Sequence, residues 1–304
     1  MELADIQIAA KVWALTGLSG VSARAFSHLL ERYQTLDEIF TTDVESLRES
    51  FDVSEELAES ISAADQKLAE AEDFIDSLPD RNINVITLFD AEYPAGFREL
   101  HTPPPLLFYR GSLPAAEEKT VALVGSGEPS AEGIEVAVDF AQRMSERGVS
   151  LVSGLARGID TAALVGATGA NRANGSSRSY AIAVCGLDDI HPEENRTLAE
   201  QVAARGAVIS EAPPDAPPTA ERAMEANRLI VGLSSAVVVG EILLENMGTL
   251  DVVHSCVESG KIVFALVPSQ KQPLDKEALE RIVALGAIPL RYPEDLETIV
   301  TCLV

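Results

Sequence analysis

The sequence predicts an α/β protein, a doubly wound and mostly parallel sheet preceded by a small helical domain. Three observations carry this. From Thr120 onward, short apolar runs alternate with amphipathic stretches, the pattern of βαβ units. Those runs are β-branched and too short for buried helices, as strands covered on both faces are. Ahead of residue 81, apolar residues recur instead at helical spacing, and residues 1–118 hold 8 of the 23 basic but 23 of the 48 acidic side chains.

The elements follow in chain order. KVWALTG, SARAFSHLLERYQTLDEIF and SEELAESISAADQKLAEAEDFIDSLPD read as helices of an acidic module over residues 1–80, with Ser22 and Ser54 as N-caps. Residues 81–118 read as a connector: NVITLFD is a short strand, and EYPAGFRELHTPPPLLFYRGSLPA runs extended because three consecutive prolines forbid a helix. Residues 119–304 form the sheet domain. Its strands are VALVG, VSLVSG, YAIAVCG, AVISE, AVVVGE, KIVFALVP and AIPL. Its helices are expected over Glu132–Arg147, Asp160–Thr168, Glu193–Arg205, Glu221–Leu233, Leu250–Ser259 and Lys276–Leu285. NRANGSSRS at 171–179 reads as a polar, flexible excursion.

Composition narrows the function. With 304 residues at 46% hydrophobic the chain can build a substantial core, and disorder is not the default. A formal charge of −25 has the wrong sign for covering nucleic acid electrostatically, so any such binding must be local. Cys185, Cys256 and Cys302 lie far apart and are odd in number, which suits a reducing compartment and provides no metal site. The acidic N-terminus lacks a signal-peptide pattern, and no apolar run approaches the ~18 residues a membrane span needs. A cytoplasmic protein without cofactor, metal or membrane partner is expected.

Ligands of doubly wound sheets bind at the carboxyl ends of the strands, so the turns there are the candidate sites. The first is Gly125-Ser126-Gly127-Glu128-Pro129-Ser130, where small residues let backbone N–H groups approach a phosphate at a helix N-terminus. Its spacing is not that of a dinucleotide fingerprint, and a plain tight turn explains it equally well. The second is Ser153-Gly154 through Arg157-Gly158-Ile159-Asp160-Thr161: Arg157 can hold a phosphate in bidentate fashion or pair with a neighbouring carboxylate, while Asp160 and Thr161 read as helix caps. In the third, Gly248-Thr249 opens a helix as another anion seat, flanked by Glu241 and Glu245, which could act as acid and base, bind a ribose hydroxyl, or simply be solvated. His28, His101, His191 and His254 sit in no nucleophile pattern, so catalysis is not expected.

These blocks carry a family resemblance. PPPLLFYRGSLP, VALVGSGEPSAEG, GVSLVSGLARGIDTAA, GLDDIHPEEN, GAVISEAPP, NRLIVGLSSAVVVGE and MGTL, in that order, resemble the DNA-processing protein A family, also called Smf. Gly20-Val21-Ser22 followed by Ser27-His28-Leu29-Leu30 is similar to that family's helix-hairpin-helix N-terminal module, with serine where glycine is usual at 22. The resemblance implies a Rossmann-like domain that binds single-stranded DNA in a basic pocket, forms a homodimer, and helps load a RecA-type recombinase during DNA uptake, transformation or repair. It implies a pocket made of Ser126, Gly127, Arg157, Gly158, Asn227, Arg228, Gly248 and Thr249. A C-terminal winged helix, common in the family, is not expected in a sequence ending at Val304.

Departures from the family pattern matter. Gly127 and Ala226 stand where the family usually has arginine, Ala223-Met224 replace Phe-Pro, Leu164 replaces His, Met247 replaces Ser, and Cys185-Gly186-Leu187 shortens a glycine-rich turn. Two cationic contacts are lost, and a weak, shallow salt dependence follows. Two other readings stay open. One is a nucleotide-binding sensor or phosphoribohydrolase-like protein using Glu241 or Glu245; the other is an acidic interaction protein that binds no DNA. Arginine supply separates them, because a strand needs a track of cations, here Arg157, Arg228, Arg196 and Arg222, and a mononucleotide needs one or two. Halophilic adaptation of the whole surface is a further open reading of the acidity, under which net charge says little about ligands.

Overall fold

The first of two compact units, Met1–Phe108, begins with α1 (Leu3–Thr16) and α2 (Ala23–Arg32), and Ser22 caps the latter by accepting the Ala25 N–H at 3.2 Å. The long run through Phe40, expected as one stretch, breaks before α3 (Leu36–Thr41). The reason is a reciprocal cap: Thr35 accepts the Glu38 N–H at 3.2 Å, and the Glu38 carboxylate accepts the Gln34 N–H at 2.9 Å. Next come α4 (Val44–Phe51), α5 (Glu55–Ser62), capped by Ser54 at 3.2 Å, and α6 (Leu68–Ser77). Two 3₁₀ turns, Ala64–Lys67 and Leu78–Arg81, flank α6. Trp13 stacks on Phe74 with ring centroids 4.8 Å apart and meets Phe108 edge-on at 5.7 Å.

The computed structural model describes residues 3–51, 54–170, 177–243, 247–268 and 276–303. Within 81–118 the chain is not extended throughout: β1 (Asn84–Thr87), a single helical turn α7 (Ala95–Arg98) and β2 (Leu106–Gly111) form. Tyr93 organises the turn, donating its hydroxyl to the Pro104 carbonyl at 2.7 Å while the Arg98 guanidinium lies 5.0 Å from its ring centre.

In the second unit, Tyr109–Val304, strand and helix alternate as expected. The order is β3 (Thr120–Val124), α8 (Ala131–Glu146), β4 (Ser150–Gly154), α9 (Ile159–Gly169), β5 (Ser179–Ile182), α10 (Arg196–Ala203) and β6 (Ala207–Ser210). The chain then crosses back through α11 (Ala220–Leu233), β7 (Ala236–Val239), α12 (Met247–Glu258), β8 (Ile262–Pro268), α13 (Lys276–Ala284), β9 (Ile288–Tyr292) and α14 (Leu296–Cys302). Every neighbouring pair in the order β6-β5-β4-β3-β7-β8-β9 is parallel. This is the α/β doubly wound arrangement. Strand order reverses between β3 and β7, and ligand sites of such sheets form at that reversal. Of the expected flexible excursion at 171–179, residues 171–176 lie outside the described residues, while Ser179 opens β5.

Both sheet faces bury apolar side chains, with Phe140, Met144, Leu151 and Phe264 in one cluster. Lys261 closes the end of α11: its ammonium donates to the carbonyls of Val231, Gly232 and Ser234 at 2.8, 3.0 and 2.9 Å. Lys261→Met is expected to lower unfolding free energy in urea by about 1–3 kcal/mol, because the carbonyls lose a charged donor in a site poor in water. Cys185 and Cys256 are buried free thiols and Cys302 is exposed. Among the described residues no helix is long and apolar enough to cross a membrane.

Candidate functional site

Three turns meet at the reversal, and hydrogen bonds between them fix their shape. After β3, the Ser126 N–H donates to the Glu241 carbonyl at 2.7 Å and the Ser126 carbonyl accepts the Ile159 N–H at 3.0 Å. The Ser126 hydroxyl oxygen accepts the Glu128 N–H at 3.0 Å. Ser130 caps α8 through the Gly133 N–H at 3.0 Å, and its own N–H and hydroxyl donate to the two Glu241 carboxylate oxygens at 2.6 and 2.5 Å. Glu241 therefore ties the end of β7 to the start of α8. Its carboxylate is engaged there, and Glu241 is not among the residues that line the cavity between the turns; Glu245, the other carboxylate weighed in the sequence, lies outside the described residues.

After β4, Gly158 takes φ 78° and ψ −125° and serves as the N-cap of α9. Asp160 and Thr161, read from the sequence as caps, lie within the first turn of that helix, because the chain enters it two residues earlier at the glycine. The Thr161 hydroxyl donates to the Ala156 carbonyl at 2.7 Å, and the Ser153 hydroxyl to the Leu123 carbonyl at 2.6 Å. Asn195, buried at the N-terminus of α10, donates to the Leu155 carbonyl and to Thr161 Oγ1, each at 2.8 Å. The α12 end is stapled in the same way: the Thr249 hydroxyl donates to the Gly125 carbonyl at 3.1 Å and the Asn227 amide to the Gly248 carbonyl at 3.3 Å.

Between these turns lies an open cavity of about 300 Å³. Of the residues singled out in the sequence, Gly125, Gly127, Gly154, Asp160, Asn227, Gly248 and Thr249 line it. Much of the remaining wall is apolar, with Ile182, Ile230 and Val252 among it. Ser126, Ser153, Gly158 and Thr161 stand behind the lining as supports. A Cβ on Gly127 or Gly248 would meet nothing within 4 Å, so the backbone there faces open space.

Neither arginine forms part of the wall, although each directly follows a lining residue, Ala156 or Asn227. Arg157 pairs with Glu194, both side chains more than half exposed. Arg228 pairs with Glu211, both largely buried. Burial raises the Glu211 carboxyl above its ordinary range even though Arg228 pulls it down. Arg157, in turn, lowers the Glu194 carboxyl. Farther out, Arg196 pairs with Asp189 at 2.6 Å and Arg222 donates to the Pro217 carbonyl at 2.5 Å.

Asp160 is the acidic group on the cavity wall. Burial pushes its pKa up to about 7, against the lowering effect of the Ala156 N–H and the neighbouring Ser153 side chain. Gly154 makes room for it, since a Cβ there would lie 2.2 Å from Asp160 Oδ2. A carboxyl whose folded pKa is raised favours the folded state below its unfolded pKa, and that contribution is lost as pH rises through about 7. Asp160→Asn is therefore expected to gain stability relative to the parent between pH 5 and pH 8, by on the order of a few kcal/mol, read as the pH-dependent difference in urea midpoints. No change in that difference with pH would contradict the assignment. Among the described residues no group of three or more His, Cys, Asp or Glu side chains could hold a metal.

Asn195, Glu194 and Glu211 shape the site without having been picked out in the sequence. All three lie in blocks that carry the family resemblance, Glu194 and Asn195 in GLDDIHPEEN and Glu211 in GAVISEAPP, but no local pattern marks them individually.

Comparison with known proteins gives concordant matches. The family model described as DNA recombination-mediator protein A matches residues 84–301. DNA processing protein DprA of Bacillus subtilis is 29% identical over 75% of this chain and 77% of its own length. Protein Smf of Synechocystis is 35% identical over 64% of this chain, and Protein Smf of Escherichia coli 36% over 64%; the matched regions are 48% and 50% of those two relatives. The chain thus spans about half the length of those two relatives. Among solved structures, DNA processing protein A of Streptococcus pneumoniae aligns with a TM-score of 0.74 at 24% identity over 98% of each chain. That of Helicobacter pylori, described for its single-stranded DNA binding mode, aligns at 0.58 and 23% over 72% of this chain and 95% of its own. At these identities the two structures establish the shared fold.

Proposed function

This chain belongs to the DNA recombination-mediator protein A family, and on that premise we propose that it binds single-stranded DNA at the strand-end cavity of its second unit, acts as a cytoplasmic homodimer, and delivers the strand to a RecA-type recombinase. One observation carries the reading: three hydrogen-bonded turns present open backbone at Gly127 and Gly248 around a cavity at the sheet's reversal, with Arg157 and Arg228 next in sequence to its lining. The Helicobacter pylori relative adds support, since single-stranded DNA is the ligand described for it.

Each arginine already has a carboxylate partner. The exposed Arg157–Glu194 pair contributes ~0–1 kcal/mol, so a phosphate can take the place of Glu194 at little cost. Arg228 is held more firmly. One or two phosphate contacts then give a logarithmic salt slope of about −0.7 to −1.4, far shallower than that of a basic groove. Anisotropy titrations of a labelled single strand across a salt series are expected to show that slope and weaker binding by Arg157→Ala. Salt-independent binding, or none at low salt, would count against the proposal. For the phosphoribohydrolase reading, Glu241 is hydrogen-bonded to Ser130 and is not among the residues lining the cavity.

A further inference from the structure

Three anion-holding groups around the strand ends are already occupied by carboxylates of the chain itself. Glu241 fills the N-terminus of α8, accepting from the Ser130 N–H and hydroxyl. Glu211 pairs with Arg228, and Glu194 pairs with Arg157. The three differ in what displaces them. Glu241 accepts from two donors at once, and the Glu211–Arg228 pair is largely buried, so opening it would strand a charge away from water. Glu194 and Arg157 are each more than half exposed, and both are rehydrated when the pair parts.

The backbone beneath this exposed pair is fixed. Glu194 sits in the 3₁₀ turn Glu193–Asn195, and the buried Asn195 amide donates to the Leu155 carbonyl and to Thr161 Oγ1, each at 2.8 Å. The turn that carries the carboxylate is thereby tied to the turn that carries Arg157, so the two side chains meet with little ordering left to do. Pairing raises the Arg157 guanidinium and lowers the Glu194 carboxyl, which keeps both charged at neutral pH. To a guanidinium fork, a carboxylate offers two anionic oxygens as a phosphodiester does.

We propose that Glu194 is a built-in phosphate mimic, a latch on Arg157 that a strand must displace, and that it sets how tightly the strand is held at the cavity rim. This rests on the single-stranded DNA reading above. Displacement leaves a free carboxylate beside the phosphate that took its place. The latch therefore weakens binding twice, first by competing for the guanidinium and then by repelling the phosphate. The freed carboxylate also gathers back part of the counterion that the strand gives up, which flattens the salt dependence.

The test uses the full chain as parent, Glu194→Gln and Glu193→Gln, with a labelled oligodeoxythymidylate in anisotropy titrations over a salt series; thermal melts confirm that the variants fold. Glutamine keeps the size of the side chain and removes the charge. Glu194→Gln is expected to bind the strand about fivefold more tightly than the parent, with a logarithmic salt slope steeper by about a few tenths. Glu193→Gln removes the same charge from the exposed neighbour in the same turn and is expected to change affinity by less than about twofold. A second arm follows the Arg157 Nε–H by NMR as inorganic phosphate is added, and that signal is expected to move at about fivefold lower phosphate in Glu194→Gln. Equal gains from the two variants, or no gain from Glu194→Gln, overturn the latch and leave the DNA reading standing. If the strand binds neither protein but phosphate reaches Arg157 more readily in Glu194→Gln, the DNA reading fails and the latch holds. An equal response of Arg157 to phosphate in parent and variant overturns the latch.

Discussion

Replacing Gly158 with alanine is expected to destabilise the second unit by about 3 kcal/mol or more and to abolish single-strand binding with it. At φ 78° and ψ −125° the residue occupies a region open essentially to glycine alone, so asparagine would not rescue it as it rescues ordinary left-handed turns. Space is also lacking: a Cβ there would lie 2.2 Å from the Ser126 carbonyl oxygen and 2.7 Å from the Gly127 carbonyl carbon. Those atoms cannot retreat, since the Ser126 carbonyl holds the Ile159 N–H and its N–H is held by Glu241. Backbone strain and displaced turn act together, which places the change in the severe class. Gly127→Ala is the control. It meets open space, so stability is expected to change by under ~0.5 kcal/mol. Urea unfolding of both variants measures the contrast, and similar midpoints would contradict the turn geometry.

Arg228→Ala carries the second large effect, about 3 kcal/mol, and it acts through the partner left behind. Glu211 is largely buried, and Arg228 is the cation that lowers its carboxyl against the cost of burial. Without the guanidinium the carboxyl must ionise unpaired or take up a proton. Its folded pKa then rises further, so the stabilising contribution remains at low pH and is lost as pH rises through the new value. The variant should be markedly less stable than the parent at pH 8 and closer to it at pH 5. Adding Glu211→Gln should restore most of the loss, because the amide needs no counter-charge. That double variant is also the proper background for asking whether Arg228 contacts DNA, since it separates a lost phosphate contact from a damaged fold. Equal stability of the single variant and the parent at pH 8 would show that the pair is not needed.

The parallel sheet was legible because strands buried on both faces must be short, apolar and β-branched, and β3 (TVALV) and β7 (AVVV) at the middle of the sheet have that composition, whereas the edge strand β9 (IPLRY) is half exposed. Ser22 and Ser54 were legible as caps because side-chain capping is a local event. The division of α2 from α3 was locally encoded too, in Thr35 and Glu38, but the continuous apolar spacing across it masked the break. Helix α4 escaped because its sequence, VESLRESF, buries only Leu47 among its described side chains and so has almost no apolar stripe.

At the site, glycine spacing located the turns and Gly154, Gly158 and Gly248 fell around one cavity or directly behind it. The fate of the arginines was not local. Arg157 meets a carboxylate 37 residues away and Arg228 one 17 residues away, and neither pairing leaves a mark on the sequence beside the arginine. The apolar character of the cavity was equally hidden, because it arises where α11 and α12 pack over the ends of β3, β4 and β5.

Amide hydrogen exchange of the whole chain, with and without a saturating single-stranded oligonucleotide at low salt, tests most directly whether the strand-end cavity is where DNA binds. Slowed exchange is expected in residues 125–130, 154–160, 223–230 and 247–252. Protection confined to Met1–Phe108, or no change anywhere despite saturation, would contradict it.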